Sequence, residues 1–103
     1  MTRYYVTWEV DNSNWPTTPK ERIGVLVNLM KMAKEETTHG KLKEWGNFSF
    51  TRKGYFVLDG AEQDVYAFIL KYSPHFKFSE PTPVLTVDQS MEFVEKLAKM
   101  IPA

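Results

Sequence analysis

The stretch "HGKLKEWGNFSFTRKGYFVLDG", residues 39–60, holds a helix stop, two strands and the turn between them. Gly40 predicts the end of a preceding helix, through the positive φ that glycine adopts freely. A strand is expected from Lys41 to Phe50 and another from Tyr55 to Asp59. "TRKG" (Thr51–Gly54) joins them as a tight hairpin, with Gly54 in the left-handed position. Read as a β-hairpin after a helix, this stretch decides how the rest of the chain is arranged.

Upstream, Arg3–Val10 alternates. Tyr4, Val6, Trp8 and Val10 share one face and Tyr5, Thr7 and Glu9 the other, the period of a strand. A loop then leads to Thr18, a good N-cap, with Pro19 at the first helical position and Glu21 completing a capping box. Ile23, Leu26, Val27, Met30 and Ala33 recur at helical spacing as one buried stripe.

Downstream, a second helix is expected from Ala61 to Lys71, burying Val65, Phe68 and Ile69 and closed by Pro74. A fourth strand, "HFKFSE" (His75–Glu80), runs into "PTPV", where Pro81 and Pro83 oppose regular pairing. The chain then reads as an amphipathic helix with Val87, Met91, Val94, Leu97, Ala98 and Ile101 on one side, capped by Thr86 with Gln89 or by Asp88.

The order is therefore β-α-β-β-α-β plus a further helix. This is an α+β, ferredoxin-like arrangement with an antiparallel sheet ordered 4-1-3-2. The two most apolar strands fall in the middle, while Lys41, Lys43, Lys77, Pro81 and Pro83 fall on the edges, where such residues discourage unwanted pairing.

Composition bounds the function. The chain has 103 residues, enough for one domain that folds on its own core. It has no cysteine, so thiol chemistry, disulfides and cysteine-ligated zinc are excluded. Thirteen basic and thirteen acidic residues, scattered, leave no basic stripe for a nucleic acid. No apolar run approaches the length of a membrane span, and no apolar signal segment precedes the first strand. The expectation is a cytoplasmic protein with no membrane or nucleic-acid partner. Zero net charge and 15% aromatic residues favour self-association.

In this topology both main helices cover one sheet face, and the other must meet something. With Leu42, Gly46 and Phe48 toward the helices, Lys43, Trp45 and Asn47 join Tyr5, Thr7 and Glu9 on the open face; a bulge at Gly46 would shift part of this register. Strand four adds either His75, Lys77 and Ser79 or Phe76 and Phe78. A twofold dimer with the sheets face to face covers such a surface and encloses a cavity.

The element order, together with "GKLKEWGNF", "GYFVLDG", "YSPHFKF" and "PVLTVDQ", resembles the dimeric α+β barrel superfamily, which includes muconolactone isomerase-like, YCII-like and antibiotic-monooxygenase-like proteins. Within it, the chain resembles a small uncharacterised domain family. The resemblance implies a homodimer with a cavity between paired sheets, and it assigns no catalytic residue.

Two functional readings follow. The first is a binding protein whose cavity takes a small, partly apolar molecule, with Tyr5, Thr7, Lys43, Trp45 and Asn47 as ligand-binding residues. The second is a cofactor-independent isomerase or monooxygenase-like enzyme using Glu9 or His75 as general base. For each residue a structural role competes: Glu9 paired with a cation such as Lys43, His75 on an edge strand, His39 at a helix end, Tyr5 and Trp45 in a dimer core. Trp15, before the first helix, either covers a cavity mouth or packs on the helix. Two histidines far apart in sequence give no metal-ligand pair, and neither a phosphate-binding glycine loop nor a nucleophile motif occurs, so no metal or cofactor is expected.

Overall fold

The computed structural model describes residues 2–49 and 52–102. Phe50 and Thr51, assigned above to the second strand and the hairpin turn, lie outside the described residues. The elements run β1 (Thr2–Val10), a short 3-10 turn (Asn12–Asn14), α1 (Pro19–His39), β2 (Leu42–Asn47), β3 (Lys53–Gly60), α2 (Glu62–Tyr72), β4 (Phe76–Phe78), β5 (Thr82–Val84) and α3 (Val87–Met100).

The sheet is antiparallel with order β2-β3-β1-β4, and β5 also pairs with β1. The single fourth strand expected from sequence is thus two short ones along the same edge. Trp8 faces Phe78 in β4, and Tyr4 faces Pro83 in β5. The prolines of "PTPV" interrupt this edge at Pro81 without preventing pairing, because an edge strand can turn a missing N–H toward solvent.

One sheet face and two helices make the core. Val6, Trp8, Leu42, Phe56, Leu58 and Phe76 from the strands meet Leu29 and Ala33 of α1 and Val65, Phe68 and Tyr72 of α2. The face of α1 differs from the sequence reading. Leu29 and Ala33 are buried and Met30 is half-buried, whereas Ile23, Leu26 and Val27 are exposed, Ile23 at 62%. Apolar residues nearly encircle this helix, so spacing alone does not select the packed side.

Local chemistry sets the element ends. Thr18 Oγ1 accepts from the Glu21 N–H and starts α1. Gly40 ends it in extended backbone (φ −113°) rather than with positive φ, its N–H donating to the Glu36 carbonyl at 2.8 Å. Gly54 does not take the left-handed position either; it lies within β3, opposite Trp8 and Asn47. The glycine that needs its freedom is Gly60 (φ +156°) between β3 and α2, where a Cβ would crowd the Asp64 carboxylate. That carboxylate accepts from the Ala61 N–H at 2.8 Å and from Lys41 Nζ at 2.9 Å, capping α2 where alanine cannot.

Tyr72 is fully buried, and its hydroxyl has no partner among the described residues. Burial, helped by the Glu36 charge, pushes that hydroxyl up to about 12 from an ordinary 10.0. The unfolded chain therefore loses the proton first as pH rises, so stability is intact below pH 10 and falls as the pH climbs toward 12. The full loss is roughly 2–3 kcal/mol. Tyr72→Phe is expected to abolish this alkaline loss in urea titrations at pH 9 and 11, and to leave neutral-pH stability unchanged or slightly higher, because it removes an unsatisfied buried hydroxyl.

α3 begins with a complete capping box. The Thr86 hydroxyl accepts from the Gln89 N–H, and the Gln89 side chain accepts from the Thr86 N–H. The helix buries no side chain. Its apolar stripe is present but uncovered, with Val87, Met91, Val94, Leu97 and Ile101 all exposed. The molecule is correspondingly long, 65 × 27 × 21 Å with a radius of gyration of 17.3 Å. A compact chain of this length would have about 13 Å.

Candidate functional site

The sheet face away from α1 and α2 carries Arg3, Tyr5, Thr7 and Glu9 from β1, set against Asp59, Val57, Tyr55 and Lys53 of β3 respectively. Tyr5 stacks on Tyr55 with centroids 5.7 Å apart, and Phe48 stacks on Tyr55 from the other side at 5.9 Å. The Tyr55 hydroxyl donates to Glu44 Oε1 at 2.7 Å. That bond favours the neutral phenol and holds the Tyr55 hydroxyl above its usual value. At one end of the face Arg3 grips Asp59 with two bonds, Nε to Oδ1 at 2.8 Å and Nη2 to Oδ2 at 3.1 Å. The guanidinium holds the Asp59 carboxyl below its ordinary value.

At the other end lies a cleft of about 390 Å³ walled by Thr7, Glu9, Phe48, Lys53, Lys77 and Ser79. β1 and the β4 edge are tied beside it, Thr7 N–H donating to Ser79 Oγ at 2.9 Å and Ser79 N–H to the Thr7 carbonyl at 2.9 Å. Glu9 is exposed and sits in register between Lys53 and Lys77. Lys43 lies at the far end of the face, where its charge acts on Asp59.

The expected binding residues divide. Tyr5 and Thr7 are on the open face. Trp45 and Asn47 are not, because β2 carries its register shift between Leu42 and Glu44, at Lys43, instead of at Gly46. The extra residue reverses the alternation beyond it. Glu44, Gly46 and Phe48 take the open face, and a Cβ on Gly46 would run into the Tyr55 ring. Trp45 turns into the core and packs on Trp8 at 5.2 Å, Tyr72 at 5.2 Å and Phe76 at 5.9 Å. Lys43, the bulged residue, is exposed.

Nor do the two candidate bases converge. His75 Nδ1 lies 3.3 Å from the Asn14 carbonyl, and its ring meets Trp15 edge-on at 5.6 Å. Phe76 and Phe78 face the core, which settles the parity of the fourth strand. His75 does not line the cleft that holds Glu9. His39 is exposed in the last turn of α1. Among the described residues no cluster of His, Cys, Asp and Glu is placed to hold a metal ion, and no helix is long and apolar enough to cross a membrane.

A second pocket, of about 310 Å³, opens on the opposite side of the sheet, between the first turns of α1 and the strand ends. Asn47 lines it, and Trp15 forms part of its wall, so Trp15 borders a cavity as the first alternative had it, and its ring packs on Phe76 of β4. Arg22 and Arg52 also line this pocket, and sequence reasoning singled out neither. The available signal was scarcity: the chain has only three arginines, Arg3, Arg22 and Arg52. No family model matches the chain, and no curated protein matches it.

Proposed function

We propose that the protein is a homodimeric binding protein of the ferredoxin-like, dimeric α+β barrel type, whose paired open faces enclose a site for a small, partly apolar molecule. The observation that carries this reading is the Tyr5–Tyr55–Phe48 stack, standing on a sheet face over which neither α1 nor α2 packs. Aromatic rings rimmed by Arg3, Asp59, Glu9 and Lys77 suit an interface with an apolar centre and a charged rim. Zero net charge offers no long-range repulsion between two copies. The uncovered stripe of α3 asks for a partner in the same way.

The occupant of the face is a second copy, and the cleft beside Thr7 and Glu9 is half of the enclosed cavity. The enzymatic alternative rested on Glu9 and His75 sharing one space; they face different surroundings, and it is not adopted. The absence of cysteine fits a cytoplasmic setting.

Tyr55→Lys places a charge at the centre of the stack and is expected to give a monomer. Sedimentation equilibrium on both proteins checks this. A wild type that stays monomeric at concentrations well above micromolar, or a variant that dimerises as well as wild type, would overturn the face-to-face arrangement.

A further inference from the structure

We propose that the pocket on the helix side of the sheet, beneath the first turns of α1, binds a small molecule made of a carboxylate and an apolar body. It lies across the sheet from the open face and is present in a single copy of the chain, so it does not depend on the dimer.

Two of the three arginines come together here from distant parts of the sequence, Arg22 from α1 and Arg52 from the end of the β2–β3 connection. Arg3 has its carboxylate in Asp59; among the described residues neither Arg22 nor Arg52 has an ion-pair partner. No acidic side chain lines the pocket among those residues. Two further donors point to the same deficit of acceptors. Arg22 Nε–H and the Trp8 indole N–H are both shielded from solvent and have no acceptor among the described residues, with Trp8 only 4% exposed. Buried donors are nearly always satisfied, so two at one pocket mark a place where an acceptor belongs. The Asn47 amide adds another group able to donate.

The remaining wall is apolar: Val10, Trp15, Ile23 and Leu26. Ile23 and Leu26 are two of the apolar residues of α1 left exposed outside the core, and the pocket gives them a role. A convergent cationic end within an apolar lining matches a ligand whose head is a planar anion, which guanidinium groups hold in a two-pronged fashion. Arg22 and Arg52 reach the carboxylate with their outer nitrogens. The volume of about 310 Å³ restricts the body to a single ring or a short acyl chain.

The test titrates the 103-residue chain with 4-phenylbutanoate and octanoate, and with their neutral amides, by calorimetry and by the backbone and indole N–H resonances in NMR spectra. At least one carboxylate is expected to bind roughly tenfold or more tighter than its amide and to shift the Trp8 and Trp15 indole signals. The double variant R22Q/R52Q is expected to erase the preference for the charged head while melting at the wild-type temperature. Leu26→Trp, which fills the pocket but keeps both arginines, is expected to weaken both heads alike. Equal affinity for acid and amide, unchanged carboxylate affinity in R22Q/R52Q, shifts confined to Tyr5 and Tyr55, or no binding of any probe at millimolar concentration would each overturn the proposal. Repeating the titration on Tyr55→Lys separates this site from the cavity between sheets: the pocket keeps its ligand in a monomer.

Discussion

Replacing Trp45 with alanine is expected to lower the unfolding free energy by about 3–5 kcal/mol, the range for deleting a large core ring. For a domain of this size that corresponds to a fall of roughly 15–25 °C in melting temperature. The ring lies among Trp8, Phe56, Phe68, Tyr72 and Phe76, with centroids 5.2 to 6.4 Å away. Those neighbours come from three strands and from α2, so one truncation loosens both layers. Trp45→Phe, which keeps most of the apolar volume and removes an indole N–H that has no acceptor, is expected to cost far less. Urea unfolding followed by far-UV circular dichroism measures both. An alanine variant of wild-type stability would mean that the ring is not part of the core.

A comparable loss, about 3 kcal/mol or more, is expected for Gly54→Ala. A Cβ there would overlap the Gly46 carbonyl oxygen and the ring of Trp8 together. The carbonyl belongs to the neighbouring strand and cannot rotate away. The indole is fixed by stacking on Trp45 at 5.2 Å and by Phe76 at 4.7 Å. Neither obstacle yields without moving β2 off β3 or Trp8 out of the core. The same substitution at Gly24, whose added Cβ meets nothing within 4 Å, is the control. In a helix it is expected to stabilise by a few tenths to about 1 kcal/mol.

Both residues show where sequence patterning succeeds and where it stops. The alternation of Tyr4, Val6, Trp8 and Val10 assigned the faces of β1 correctly, since nothing interrupts the pleat. Thr18 and the Thr86–Gln89 pair were legible as helix starts because a cap is a local bond between near neighbours. Strand order followed from the β-α-β-β-α-β element order, with which the apolar centres and charged edges agreed.

Three things were not legible. The packed side of α1 is chosen by the sheet beneath it, and Ile23, Leu26 and Val27 matched the helical period as well as Leu29 did. Gly40 looked like a left-handed stop, yet an extended backbone satisfies the same terminal carbonyl. The bulge at Lys43 leaves no mark in composition, so Trp45 and Asn47 were assigned to the open face.

The candidate site was legible to the same degree. Tyr5 and Thr7 fell on the expected face because β1 is regular, whereas Tyr55 and Phe48 emerged only once the hairpin register was known. Arg22 and Arg52 are brought together by the crossing of α1 over the hairpin end, a tertiary event with no sequence motif.

The bulge at Lys43 has a consequence for how this chain tolerates change over generations. In most hairpins the loss or gain of one codon is absorbed by the connecting turn. Here deletion of Lys43 would also be absorbed, because it removes the one extra residue and leaves an unbroken pleat with Leu42 and Trp45 still inward and Glu44 still on the open face. Homologous chains are therefore expected to vary by one residue at this position as well as at the turn near Arg52. An alignment that slides a gap across the two places would exchange the two sides of the sheet on paper.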